Sequence, residues 1–198
     1  MKMTGMAVMV VAAVSGRAGA SPTETRQLTI CMENFKGTIE KGARAVASGI
    51  FAGIGVQIQW RGPDECPTEA IYVSFSNETS VNEHRDALAY ALPYEGTHIV
   101  VFLDRVKSMA PALSSVACLL GYTLTHEVTH ILEGQVRHSE SGIMKARWEA
   151  NDHFEMRRRR LGFAAQDISM IHHGLDWRES RLAMASASNP AAELVAAQ

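Results

Sequence analysis

Two histidines four residues apart bracket a glutamate in the stretch His126-Glu127-Val128-Thr129-His130. On an α-helix such residues lie on one face about a turn apart, so both imidazoles can address a single ion. Zinc favours nitrogen ligands at roughly 2.0–2.1 Å in tetrahedral geometry, and a catalytic zinc keeps one position for water. A carboxylate beside the first histidine can reach that water as a general base. Pure metal binding does not need that carboxylate, so Glu127 points to hydrolysis. The same five residues would also suit an amphipathic helix with two surface histidines, and the flanking sequence weighs against that reading.

Gly134 can take the left-handed conformation that ends a helix, after which the chain can turn and bring His138 back towards the first pair. Ser139 follows, then Gly142-Ile143-Met144 and Lys145-Ala146-Arg147-Trp148. These residues resemble the metzincin zinc peptidases, whose pattern is H-E-x-x-H-x-x-G-x-x-H followed by a methionine turn. The His138-Ser139 pair ahead of Gly142-Ile143-Met144 is similar to the matrixin branch. It is more similar still to small secreted bacterial proteins that read H-E-x-G-H-x-L-L-G, H-S-x-x-G-I-M, then a basic residue and Trp. The resemblance is close over 126–148 and loose over the rest of the mature chain. His126, Glu127 and His130 match directly, whereas Gly134 comes one residue late and His138 two residues late.

The resemblance implies an α/β (α+β) fold: a metzincin-like three-layer domain with a mixed twisted sheet, a backing helix and an active-site helix. It implies zinc as cofactor, with His126, His130 and His138 as ligands, Glu127 as general base and Met144 as an apolar floor beneath the metal. It also implies a peptide or protein substrate. Glu149 is an alternative third ligand, and Asp152 and His153 are spare candidates. Some metzincins place a tyrosine after the turn; here none follows Tyr122. The competing class is a non-catalytic secreted zinc-binding protein on the same scaffold.

The elements that must position these residues read as follows. Residues 28–33 form a first strand, 36–55 a helix with apolar positions every three or four residues, and 56–60 an alternating second strand, together a β-α-β unit. Residues 71–75 alternate as a third strand, and 76–86 are polar loop. Residues 87–92 stop at Pro93 as an edge strand would. The apolar run 98–103 fits a central strand covered on both faces. Ser108 can cap a helix over 109–133 whose stripe (Leu113, Val116, Ala117, Leu120, Leu124, Val128, Ile131) lies opposite His126 and His130. Further helices are expected over 151–161 and 164–173. The Arg157–Arg160 run reads as a solvated face, and His84, His98, His172 and His173 as residues outside the metal site.

The 198 residues, 46% hydrophobic and 20% charged with a formal net charge of −2, suit one domain with a real core. That balance gives no reason to expect nucleic acid as a partner. Lys2, an apolar run from Met6 to Val14 and Ala18-Gly19-Ala20 describe a cleaved signal peptide over 1–20. The run is too short for a membrane span. The expected division is therefore signal 1–20, catalytic domain 21–182 and flexible tail 183–198, in a protein secreted or periplasmic after cleavage. Export permits one disulfide among Cys31, Cys66 and Cys118. Cys118 falls inside the helix carrying the histidines and fits a buried small hydrophobe.

Overall fold

The computed structural model describes residues 25–33, 37–76, 87–110 and 112–188. The expected signal segment, most of the 76–86 loop with His84, and the end of the tail lie outside them. The elements are β1 (Arg26–Met32), α1 (Thr38–Ala52), β2 (Val56–Arg61), β3 (Ile71–Ser76), β4 (Ala89–Ala91), β5 (His98–Phe102), α2 (Leu103–Met109), α3 (Leu113–Glu133), α4 (Ala150–Arg157) and α5 (Ala165–Ser188). The fold is the expected mixed α/β one. Its sheet runs β2-β1-β3-β5-β4, parallel throughout except for β4, which pairs antiparallel with β5 at the edge.

Strand alternation places Leu28, Ile30, Met32, Val56, Ile58, Ile71, Val73, Ile99 and Val101 on one face, all buried. α1 and α3 lie side by side over that face. Gly121 lets them approach closely, since a Cβ there would sit 2.5 Å from the Val46 Cβ. The segment after α3 forms the third layer, contributing Ile143, Met144, Met156, Ile171 and Leu175 to the core. α5 runs past the starts of the parallel strands. Its Arg178 donates to the carbonyls of Gly96 and Glu69, and Arg26 at the start of β1 pairs with Asp176 and Glu179.

Several expectations are corrected. The helix expected over 109–133 begins only at Leu113, while Met109 ends the separate helix α2 and Ala110 is extended (φ −117°, ψ 121°), because the residue before a proline avoids the helical region. Ser108 caps nothing; its hydroxyl donates to the Asp104 carbonyl one turn back. The 98–103 run is not covered equally on both faces, for Val100 is only half-buried and Leu103 already begins α2. α3 is not amphipathic: 121–132 are buried all round, because the third layer covers the side left polar by the stripe. α4 stops at Arg157, and Arg159 turns left-handed at φ 55°. α5 continues through Gly174 to Ser188, well past the expected helix end at 173. Cys118 is half-buried rather than buried, and its thiol donates to the Met156 carbonyl at 3.3 Å. Burial pushes that thiol above its ordinary value.

Cys31 and Cys66 are bridged, tying the loop after β2 to the inner strand β1 across a separation of 35 residues. On the chain-entropy account, closing a loop of that size contributes about 4 kcal/mol.

Gly174 carries a sharper constraint, because a Cβ there would lie 1.8 Å from the Leu132 carbonyl oxygen at the end of α3. Backbone cannot yield as a side-chain tip does, so Gly174→Ala is expected to cost about 3 kcal/mol. Urea unfolding checks this. Gly49→Ala, where the added carbon meets nothing within 4 Å, is the control and should stabilise α1 by up to about 1 kcal/mol.

Candidate metal centre

α3 brings His126 and His130 onto one face at consecutive turns, with their Nε2 atoms 3.0 Å apart. Each Nδ1 faces a backbone carbonyl: that of Ile143 at 2.9 Å for His126, and that of Gln135 at 3.2 Å for His130. A carbonyl can only accept, so each Nδ1 carries the proton and each neutral ring keeps a bare lone pair on Nε2. Two lone pairs facing at hydrogen-bond distance cannot bond to each other; they need a cation between them. Tetrahedral ligands at 2.0–2.1 Å stand about 3.4 Å apart, close to the separation seen. A proton is a poor substitute here. Burial, together with the neighbouring imidazoles, pushes His126 down to about 4 and His130 to about 3.

The third imidazole arrives from the chain beyond α3. Gly134 caps the helix at φ 66°, the left-handed region, and its N–H bonds the His130 carbonyl at 3.0 Å. His138 then returns to the pair, its ring centroid 5.4 Å from that of His126 and 5.0 Å from that of His130. One donor atom from each of the three lies within 4.8 Å of the others. Among the described residues this is the group of histidines and acids close enough to hold a metal ion.

His138 itself is exposed, and its neighbours do the holding. Arg137 donates to Asp167 at 2.6 Å and to Glu133 at 3.0 Å, and Ser139 donates to the same Asp167 oxygen at 2.5 Å. The other Asp167 oxygen accepts the Ala164 N–H at 3.1 Å. Asp167 is fully buried at the start of α5, so both residues flanking His138 are pinned to one carboxylate.

A tight turn follows His138. Gly142 is left-handed (φ 77°), and a Cβ there would sit 2.5 Å from the Gly162 carbonyl oxygen, so glycine is required twice over. The Ile143 N–H bonds that same carbonyl at 3.0 Å, and Ser139 N–H bonds the Met144 carbonyl at 2.7 Å. Ile143 and Met144 are fully buried.

Glu127, one residue on from His126, points towards the edge strand, where its carboxylate accepts the Ala91 N–H. Burial pushes its carboxyl up to about 8, with that N–H acting the other way.

The structure thus brings His126, His130 and His138 together, with Glu127 next to His126 along α3 and Met144 buried in the turn that follows His138. The alternatives fall elsewhere. Asp152 is engaged by Lys145 at 2.6 Å and by the Glu149 N–H at 2.8 Å, in a capping box at the start of α4. Glu149 is exposed in that box, and His153 lines a separate cleft with Cys118. His98 pairs with Glu95 on the surface. Sequence reasoning missed Asp167. No spacing rule reaches 30 residues along the chain, although a buried Asp opening an apolar helix is a usable hint.

A crystal structure of archaemetzincin from Methanopyrus kandleri has the same fold, with a TM-score of 0.54 at 14% sequence identity over 78% of this chain and 98% of that one. The metzincin-like architecture implied by the motif is therefore present, and at that identity the likeness concerns the fold. No family model matches the chain, and no curated protein matches it.

Two expectations follow. Stability of the metal-free protein should peak near pH 6.5. Below that, the unfolded chain protonates His126 and His130 while the folded chain does not, so stability falls with pH towards about 4. From the unfolded glutamate value up to about 8, folded Glu127 holds a proton the unfolded chain has released, so this group alone loses stability as pH rises. Two histidines against one glutamate leave a net acid slope of about 1.4 kcal/mol per pH unit. Melting temperatures of chelator-treated protein across this range would refute the picture by showing no maximum.

Secondly, Asp167→Asn removes the charge that pins Arg137. It is expected to weaken metal binding about tenfold or more through a loosened His138, and to cost about 3 kcal/mol of stability. Competition against a chromophoric chelator and urea unfolding read the two effects separately.

Proposed function

We propose that this chain is a secreted zinc-dependent endopeptidase. The observation that carries the reading is the facing pair of Nε2 lone pairs, with the neighbouring Glu127 bonded to the edge strand of the described sheet. His126, His130 and His138 would hold the ion. When bound, zinc supplies a Lewis acid for the scissile carbonyl and a water of lowered pKa.

The remaining chemistry belongs to the chain. Phe102 N–H bonds the Leu88 carbonyl and Leu92 N–H bonds the His98 carbonyl, at 2.8 and 2.9 Å. Antiparallel alternation then turns the N–H and C=O groups of Ala89 and Ala91 away from β5, towards the free side. An extended peptide can add there as a further strand. Glu127 lies between that edge and the histidines. There it takes the proton of the attacking water and returns it to the departing amine. Burial favours the first half, because a carboxyl pushed up in pKa is a stronger base when ionised.

Export is supported by the signal-like 1–20 sequence and by the Cys31–Cys66 bridge, which an oxidising compartment favours. No helix among the described residues is long and apolar enough to cross a membrane. The exposure of His138 and its late spacing favour a second reading, a zinc-binding protein on the same scaffold without turnover.

Glu127→Gln separates the two. The variant should keep its fold and about one zinc per chain while turnover of extended peptides drops at least about 10²-fold. Equal trace activity in both proteins would establish the binding-protein reading instead. Loss of zinc in His130→Ala, measured by metal analysis, is the accompanying control.

A further inference from the structure

We infer that Trp148 is a positioning residue of the metal centre, holding the peptide that fixes His126; the inference rests on the metal-site reading above. The Ile143 carbonyl accepts two donors, His126 Nδ1–H at 2.9 Å and Trp148 Nε1–H at 3.0 Å. A carbonyl has two lone pairs, so this acceptor is saturated and its direction is set from both sides. The N–H of the same residue is fixed by Gly162. The indole also meets the His126 ring edge-on, with centroids 5.6 Å apart and planes at 87°. One side chain therefore clamps the acceptor that selects the His126 tautomer and blocks rotation of the ring that must present Nε2.

Trp148 is in turn held by its own loop. Lys145, three residues before it, reaches Asp152 at 2.6 Å, and Glu149, immediately after it, caps α4. The indole thus sits between the buried methionine turn and a helix start, half-exposed, with its N–H committed. Indole N–H groups in such sites normally find a partner, and many would serve. Here the partner chosen is the one atom that already orients a metal-facing imidazole. Groups one step removed from a metal ligand commonly change affinity by 10–100-fold when lost.

The test uses the full chain and two substitutions. Trp148→Phe keeps a ring against His126 and removes the donor; Trp148→Leu removes both. Zinc dissociation constants come from competition with a chromophoric chelator, and the visible spectrum of the cobalt(II)-loaded protein reports ligand geometry. Expected are a loss of roughly tenfold for Phe and nearer a hundredfold for Leu. The cobalt bands should shift in both, while metal-free melting temperature changes little in Phe. Zinc affinity and cobalt spectrum unchanged in Trp148→Phe and Trp148→Leu would overturn the inference while leaving the metal site standing. Loss of affinity only in parallel with metal-free stability would also overturn it, by making Trp148 structural. A wild-type protein that binds no zinc would overturn the metal-site reading and this inference with it.

Discussion

Neutral imidazole has one donor and one acceptor nitrogen, and which is which depends on what the donor finds. Here both donors find backbone carbonyls, and both acceptors are left facing each other at 3.0 Å. That mutual exposure of lone pairs is unfavourable in a buried site unless a positive charge lies between them. The rest of the molecule is arranged so that the conflict cannot be relieved by moving a ring. The carbonyls come from two separate segments, one just beyond the α3 cap and one in the methionine turn. Either could be lost by a small backbone shift; the Ile143 peptide is secured by Trp148 and Gly162, and the chain after Gln135 by the Arg137 and Ser139 bonds to Asp167.

Those contacts explain why the third layer exists in the form it does. The turn after α3 needs a left-handed residue at Gly134, and the turn before Ile143 needs one at Gly142. Between them the chain is irregular and would carry little stability alone. Asp167 makes up for this by gathering Arg137, Ser139 and the Ala164 N–H at one buried carboxylate. Two acids, Glu133 and Asp167, share a single arginine there, and burial raises the Glu133 carboxyl above its ordinary range. α5 supplies Asp167, and α5 can lie against the end of α3 only because Gly174 has no side chain.

Much of this was legible in the sequence where one spacing rule sufficed. The i, i+4 histidines, the Gly134 stop, the β-α-β opening and the short strand ending at Pro93 all depend on neighbours within about a turn or a strand. His138 was reachable through the Gly134 stop together with the resemblance of His138-Ser139 and Gly142-Ile143-Met144 to the metzincin pattern, with Glu149, Asp152 and His153 left as alternatives. What escaped was decided at a distance. α3 reads as two-faced because the layer over its second side, with Ile143, Met144, Met156, Ile171 and Leu175, comes from later in the chain, which local periodicity cannot register. Gly174 reads as a helix breaker until the Leu132 carbonyl is seen against it. The late start of α3 at Leu113 follows from Pro111 in the sequence, although the spacing from Met109 to Leu113 also suits a continuous helix.

The edge strand β4 has a further consequence. An open sheet edge is a template for any other strand, including one from another copy of the chain, and proteins that leave long edges open tend to associate through them. A site that captures extended chains by strand addition cannot hide its edge. This one is three residues long, ends before Pro93, and has the Ala91 N–H engaged by a carboxylate when no guest is present. It offers enough backbone to grip a few residues and too little to seed a growing sheet. On the proposed reading, solubility and substrate capture would be set by the same three residues, and lengthening β4 to bind peptides more tightly would raise the propensity to aggregate.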